Sequence, residues 1–337
     1  MKKRILCFVE KPQLQRVLNG VIVERYEDQF DMEFAFIMPV GTVMFDYPKN
    51  LNFKEYPYLS EPRYRLNAET QELTWRNFDV TQDKSCTIFP EFDEIWLAPD
   101  LDASGHGAFD DFFKIQFGSS IASLLSSSNA EKFRFLFLHS LYCKDIEKEI
   151  DNRDLNLNEA VNKHLGFLSQ YRAKRFFDYN FNINSMMAFG FFDLKGGKQI
   201  LTKYKLLTLF LLRDARGVIT QDELHRKMRC NPGTGKYRDK GVNGRIGSPM
   251  SFWKIVDDLV GSELISLNKS DDEVSLSQRG KDFINSCHHR ICDTDLPYRL
   301  SFWVERSEDQ PDKVRKEMTS YLSRFFKRER NKRLLTV

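Results

Sequence analysis

Three carboxylates with a spacing suited to a divalent cation follow two apolar segments of the chain. Glu10 comes directly after KRILCFV at 3–9, and Asp100 and Asp102 end the segment EIWLAPDLD at 94–102. Because ligands bind at the carboxyl ends of parallel strands, we expect the three acids to meet at one sheet edge. Clustered carboxylates repel one another unless a cation lies between them, and an all-oxygen ligand set suits Mg²⁺ or Mn²⁺. The alternative is a solvated turn, where aspartate is common.

Two glycines after the acids favour a substrate that carries phosphate. Gly105 and Gly107 lack a Cβ, so they allow another group to approach the backbone closely. Magnesium in proteins usually keeps several waters and also contacts a phosphate. The segment LAPDLDASGHG at 97–107 therefore predicts a metal site with a phosphate-bearing substrate.

The segments that position these acids alternate between strand and helix. Apolar runs at 3–9, 94–100 and 132–140 are typical of buried strands, and 13–22 and 109–125 are helix candidates. This alternation predicts an α/β domain over residues 1–142, with a Rossmann-like and mostly parallel sheet.

The pattern becomes helical after residue 142. Residues 143–195 predict a helical connector, and the family resemblance given below implies that it lines a DNA groove. Within 196–337, three helix candidates precede a hairpin with a polar tip, ISLNKSDDEVSLS, and a closing helix. Three helices followed by a hairpin are typical of a winged helix-turn-helix, which predicts a DNA-binding domain that ends in one or two further helices.

The two acidic segments resemble a known family. FVEKPQLQRVL at 8–18 together with LAPDLDASGHG resembles the TOPRIM domain, whose hallmark is a glutamate after the first strand and DxD after a later one. The lysine after the glutamate is the form found in type IA DNA topoisomerases. Those enzymes continue DxDxEG, and here Ser104 replaces the third acid. The resemblance implies catalytic roles for Glu10, Lys11, Asp100 and Asp102, with the three acids binding Mg²⁺ or Mn²⁺.

The resemblance continues along the chain in the order of the topoisomerase motifs. QYRAKRFFDYNFNINSM at 170–186 is similar to the helix that leads to the single-strand groove of those enzymes. GRIGSPMSFWKIVDDLVGSELI at 244–265 and SLSQRGKDFI at 275–284 are similar to elements near the end of their core, and ICDTDLPYRLSFWVERSE continues the similarity. The resemblance covers most of 3–140 and much of 165–325. It implies that the partner is DNA, single-stranded or distorted.

Basic residues interleaved with aromatic residues give DNA binding a physical basis. Cations contact phosphates and rings stack on bases when proteins hold single strands. The alternative for Phe176 and Phe177 is packing in the core. The predicted DNA-binding residues are Arg172, Lys174, Arg175, Lys236, Arg238, Lys240, Arg245, Ser248 and Lys254.

The sequence has no phrase like the one that carries the nucleophilic tyrosine in type IA topoisomerases. The nearest phrase, GVITQ at 217–221, has Gln221 at the place of the tyrosine, and an amide does not attack a phosphodiester. Strand passage would therefore need a second polypeptide that supplies the gate. Two alternatives stay open: a TOPRIM nuclease that uses a metal-activated water, and a non-catalytic DNA-binding or regulatory protein.

Composition sets the remaining expectations. The 337 residues carry a net charge of +3 and are 41% hydrophobic, as in ordinary globular proteins. No apolar run approaches the length that spans a bilayer, so we expect a cytoplasmic protein without a membrane partner. The six cysteines are scattered without a CxxC pair, which favours reduced structural thiols.

Overall fold

The computed structural model describes residues 1–37, 42–49, 51, 56–67, 91–125, 130–153, 157–190, 192–194, 197–231, 233–234, 237, 241–268 and 270–334. Contacts within the chain divide it into two compact units. The first unit comprises Met1–Asp46 and Arg63–Arg172, and the second comprises Tyr47–Pro62 and Ala173–Val337.

A four-stranded parallel sheet forms the centre of the first unit. Its strands are β1 (Lys3–Val9), β2 (Phe30–Phe36), β5 (Glu94–Ala98) and β6 (Phe133–Phe135), in the spatial order β2-β1-β5-β6. The central strands are buried on both faces, so their sequences are apolar without alternation. Val9 pairs with Ala98 in the register of β1 and β5, which places the residues after both strands at the same sheet edge. A separate hairpin joins β3 (Val43–Phe45) to β4 (Tyr64–Leu66).

Helices complete the α/β arrangement of the first unit. They are α1 (Pro12–Arg25), α2 (Ala103–Phe117), α3 (Ile121–Leu125), α4 (Cys143–Asp151) and α5 (Leu157–Phe189), of which residues up to Arg172 belong to this unit. Proline at the first position of α1 loses no hydrogen bond, because the first amides of a helix have no partner within it. One apolar cluster contains Phe8 and Phe113, and another contains Trp96 and residues of α1.

The second unit contains the rest of the secondary structure. Its elements are the hairpin β7 (Phe192–Leu194) and β8 (Gly197–Gln199), α6 (Lys203–Asp214), β9 (Ile219–Thr220), α7 (Gln221–Arg229), α8 (Pro249–Gly261), β10 (Ile265–Asn268), β11 (Glu273–Leu276), α9 (Gln278–Ser286), α10 (Leu296–Arg306) and α11 (Pro311–Leu334). β10, β11 and β9 form a small antiparallel sheet in that order. An apolar cluster that includes Phe181, Phe210 and Phe326 forms the core.

A segment from early in the chain belongs to the second unit. Tyr56 is buried, and its ring lies 6.2 Å from that of Phe326. Two buried asparagines of α5 bind the main chain nearby: Asn184 accepts from the Tyr58 amide at 2.7 Å, and Asn180 accepts from the Ser60 amide at 2.8 Å. Both also donate to the carbonyl oxygens of these residues, so each asparagine side chain binds the amide and the carbonyl of one residue of the segment.

The structure confirms the α/β class of the N-terminal part and the helical character of the C-terminal part. It adds β2, a strand of the sheet that the alternation of apolar runs does not specify. The compact units do not follow the predicted boundaries after 142 and 195, because α4 and the start of α5 pack with the sheet while 47–62 packs with the second unit. Across the described ranges, no helix is both long and apolar enough to cross a membrane.

Candidate functional site

Glu10 follows β1 directly and is buried at the edge of the sheet where this strand ends. Its residue is 5% exposed, and its Oε2 accepts a hydrogen bond from the Asp100 amide at 2.9 Å. This bond joins the ends of β1 and β5 directly. The structure therefore brings Glu10 and the predicted aspartate pair together.

Lys11 supplies a positive charge to the same edge. Its Nζ forms an ion pair with Oδ2 of Asp100 and lies 3.9 Å from Oε1 of Glu10. The Lys11 side chain is 56% exposed, whereas that of Asp100 is 30% exposed. The Asp100 hydrogen bond raises the pKa of Lys11, so the lysine stays charged. The ammonium group therefore neutralises part of the acidic cluster.

Asp102 begins helix α2 as its N-cap. Its Oδ1 accepts from the amides of Ser104 and Gly105, at 2.7 and 2.9 Å. A capping carboxylate satisfies helix amides that otherwise lack a partner and favours the positive end of the helix dipole. The capping explains part of the aspartate's presence without any metal. Its second oxygen, Oδ2, has no hydrogen bond among the described residues.

Gly105 is required by the close packing of α2 on the buried glutamate. A Cβ at this position would clash with Oε2 of Glu10 and with the main chain of Asp100. Gly107, one half-turn later, packs in the same way against the ring of Tyr171. The glycines that predicted phosphate approach thus serve the packing of the helix in this structure.

The burial of Glu10 changes its protonation. Burial raises the pKa of Glu10 to about 7 and the charge of Asp100 adds to the rise, against the lowering effect of the Asp100 amide and of Lys11. A group with this pKa exchanges its proton near neutral pH, as general acids and bases do. Perturbed carboxyl groups of this kind are concentrated at functional sites.

A cleft of about 470 Å³ opens above these residues. It is lined by Lys11, Asp100 and Asp102, and on the β6 side by the segment Leu138–Leu141. His139 and Ser140 of this segment were not predicted as site residues. The signal was their position at the end of the third predicted strand, KFRFLFLHS at 132–140, whose carboxyl end must share the edge with Glu10 and Asp100.

Metal binding at this edge needs a rearrangement. Within the described part of the chain, no group of three or more acidic, histidine or cysteine side chains is placed to hold a metal ion. Lys11 contacts Asp100, and Asp102 is engaged with α2. The donor set still fits a hard cation, because Glu10 and Asp100 present carboxylate oxygens that already attract one positive charge.

Two buried aspartates of α2 bind side chains from elsewhere in the first unit and so anchor the helix that Asp102 caps. Asp110 is fully buried and pairs with Lys114 at 2.7 Å and with Arg172 at 3.3 Å. Asp111 accepts from the hydroxyl of Tyr171 at 2.9 Å. The predicted DNA-binding residue Arg172 therefore has a structural partner, although its side chain is 56% exposed.

The remaining predicted DNA-binding residues that can be described lie in the second unit. Ser248 caps α8 in a capping box with Ser251, and Lys254 on the same helix lies 3.9 Å from Asp258. Trp253, which sequence analysis missed, is 56% exposed beside Lys254. A single exposed apolar side chain is common on protein surfaces, so Trp253 by itself does not identify a partner.

Other predicted residues differ in their surroundings. Arg245 is exposed, whereas Lys174 and Arg175 are half-buried. Phe176 and Phe177 are buried, as the core interpretation predicts. Lys236, Arg238 and Lys240 lie outside the described residues.

Comparison with known proteins does not supply an assignment. No protein-family model matches the chain, and no similar curated protein was found.

Proposed function

We propose that the chain is a DNA-binding protein related to the core of type IA DNA topoisomerases, with a divalent-cation site at Glu10, Asp100 and Asp102. The observation that carries this proposal is the hydrogen bond between the Asp100 amide and Glu10, which joins the acids after two neighbouring parallel strands. The strand order β2-β1-β5-β6, with the glutamate after β1 and the aspartate pair after β5, supports a TOPRIM domain.

The element order of the second unit supports a winged helix. Helices α6, α7 and α8 precede the β10–β11 hairpin, and β9 pairs with β11 to complete the small sheet. In proteins of this kind the third helix enters a DNA groove. The corresponding helix here, α8, exposes Trp253 and Lys254 and begins at Ser248.

The residues of the cleft, together with the buried Glu10 next to Lys11, suit the chemistry of a phosphodiester. Lys11 pairs with a phosphate when it leaves Asp100, and Oε1 of Glu10 exchanges a proton near neutral pH. A bound Mg²⁺ or Mn²⁺ would be held by Glu10, Asp100 and Asp102 and would polarise the phosphate as a Lewis acid. In the proposed function, rejoining of a cleaved strand depends on a tyrosine from a second polypeptide. In GVITQ at 217–221, the phrase most similar to the one that carries the tyrosine, Gln221 stands in its place, and the Gln221 side-chain amide donates to Asp272.

Measurement of single-strand binding with and without the cation tests the proposal. We expect Mg²⁺ or Mn²⁺ to tighten binding of a fluorescent oligonucleotide by about fivefold or more, because the ion offsets carboxylates that repel phosphate. Asp100→Asn should abolish this metal effect and, in EDTA, bind DNA at least as tightly as wild type. Asp31→Asn, at an exposed aspartate of β2, is the matched control and should behave as wild type. Affinity that does not respond to either metal contradicts the proposal.

A metal-dependent nuclease is the second candidate. The raised pKa of Glu10 favours it, because a nearby general base can activate water in place of a tyrosine. Incubation of supercoiled plasmid with the protein and Mn²⁺ distinguishes the candidates. Nicks that carry no covalently attached protein and that disappear in Asp100→Asn identify a nuclease. Intact plasmid together with metal-dependent binding supports the partner-dependent core.

A further inference from the structure

A second cleft, also of about 470 Å³, lies between α10 and α11 in the second unit. Its walls combine aromatic rings with cationic side chains. The rings are Tyr237, Trp303 and Tyr321, and the exposed cations are Lys313, Lys316 and Arg324. We name it the α10–α11 cleft. A volume of this size accommodates a small ligand rather than a single inorganic ion.

Arg299 fixes the aromatic wall. Its guanidinium lies 5.2 Å from the Tyr237 ring centre and 4.9 Å from that of Tyr321. Asp293 neutralises this arginine at 3.1 Å and also accepts the Tyr321 hydroxyl at 3.0 Å. Trp303 and Tyr321 are buried, whereas Tyr237 is partly buried, with the Phe302 ring centre 5.9 Å from its own. Tyr237 is therefore the least buried of the three rings.

The cations of α11 that line the cleft form no ion pair among the described residues. The three cations lie on one face of α11, because Lys316 follows Lys313 by three residues and Arg324 follows Lys316 by eight residues. None of them has an ion-pair partner within the parts of the chain that the structure describes. Glu317, the acid that lines the cleft, is held by the Trp303 indole at 2.8 Å and by Arg306 at 3.2 Å. The charge of Glu317 is therefore matched by Arg306, and the three cations of α11 have no ion pair with it.

We propose that the α10–α11 cleft binds a nucleoside phosphate, with the phosphates at Lys313, Lys316 and Arg324 and the base against Tyr237. Cations that contact phosphates beside a ring that stacks on a base are the chemistry by which proteins hold single nucleotides and single strands. The ligand is a free nucleotide or a nucleotide of a strand. This site does not depend on the acids of the first unit or on a metal.

Calorimetric titration in EDTA tests the site separately from the acidic edge. The probes are the dinucleotide pdTpdT, dTTP and inorganic pyrophosphate. We expect pdTpdT to bind wild type and its affinity to fall about tenfold in the double variant Lys313→Gln/Lys316→Gln, because two charged phosphate contacts are lost. Tyr237→Ala should weaken pdTpdT about fivefold or more and leave pyrophosphate unchanged, because pyrophosphate has no base to stack.

Lys281→Gln is the matched control, since Lys281 is an exposed lysine on α9 of the same unit. It should bind pdTpdT within twofold of wild type. Tighter binding of dTTP than of pdTpdT supports a free nucleotide as the ligand, and the reverse supports a strand. Equal affinity of wild type and the double lysine variant for pdTpdT overturns the proposal. So does equal binding of pdTpdT by wild type and Tyr237→Ala.

Discussion

Glu94 is a buried carboxylate that three donors keep in its charged form. Lys3 and Arg153 pair with it at 2.6 and 3.0 Å, and the indole of Trp96 donates to it at 2.8 Å. Burial alone would raise its pKa, but these hydrogen bonds outweigh burial and lower the pKa of Glu94 to about 2. The charge is therefore part of the stability of the first unit.

Replacing Glu94 by glutamine should make the free energy of unfolding of the first unit depend less on pH in acidic solution. At pH 7 we expect Glu94→Gln to lower the free energy of unfolding by about 3 kcal/mol, because Arg153 is left without its buried partner. The folded pKa lies below the unfolded value of about 4.3, so this contribution is complete above roughly pH 5 and is lost as pH falls towards 2. Urea unfolding at pH 7 and pH 3 measures the difference. An equal loss at both pH values contradicts the prediction.

Two buried histidines should stay neutral in mildly acidic solution. The Nδ1 atoms of His106 and His164 lie 3.0 Å apart, so one ring donates and the other accepts. Burial lowers the pKa of His106 to about 3 and that of His164 to about 4. Each folded pKa lies below the unfolded value of about 6.5, so both histidines contribute fully above pH 6.5 and destabilise the fold as pH falls towards 4.

Nuclear magnetic resonance of the histidine rings tests this expectation. At pH 5.5, two of the six histidines should still show the chemical shifts of neutral imidazole. His164→Phe should remove one of these signals and assign it. Protonation of all six histidines above pH 6 in the folded protein would show that the pair is accessible to solvent.

At the scale of elements, two substitutions of Asp102 distinguish its role as the N-cap of α2 from the effect of its charge. Asparagine also accepts amide hydrogen bonds at an N-cap, whereas alanine does not. We expect Asp102→Ala to destabilise the first unit by about 1 kcal/mol and Asp102→Asn to cost less. Both variants should weaken the proposed metal effect on DNA binding.

Thermal unfolding followed by circular dichroism measures the stability difference, and the oligonucleotide titration described above measures the metal effect. If Asp102→Asn keeps both stability and the full metal effect, Asp102 is a cap and not a ligand. Asp31→Asn again serves as the control, because this exposed aspartate on β2 caps no helix.

The sequence predicts elements well where the signal is local. The start of α8 is indicated by Ser248 and Pro249. The strands β1 and β5 are indicated by their apolar runs. β2 was missed because its sequence, FDMEFAF, mixes acids with apolar residues at an edge of the sheet. The convergence of Glu10 and Asp100 was predicted from strand order. The contact of Lys11 with Asp100 depends on side-chain conformation, which sequence does not specify.

At the scale of the whole molecule, the second unit is discontinuous in sequence. A fragment that begins at Ala173 lacks Tyr47–Pro62, so it loses Tyr56 from the core and leaves Asn180 and Asn184 without their main-chain partners. No local pattern predicts this membership, because the contacts of Tyr56 reach Phe326 at a separation of 270 residues.

Complementation by a peptide tests the membership of this segment. We expect fragment 173–337 to unfold at a lower temperature than the fragment mixed with excess peptide 47–62, because a ligand that binds only the folded state raises its stability. The same peptide with Tyr56→Ala is the control and should have a smaller effect. A melting temperature that neither peptide changes would show that the second unit does not require the segment.

The separation between Tyr56 and its partners also governs the timing of folding during translation. At about 5 to 20 residues per second, a ribosome adds the 270 residues from Tyr56 to Phe326 in roughly 15 to 50 s. Throughout that interval the aromatic segment has been synthesised while the helix that buries it has not. The core of the second unit is therefore complete only after Phe326 has been synthesised, and until then the ring of Tyr56 lacks this partner.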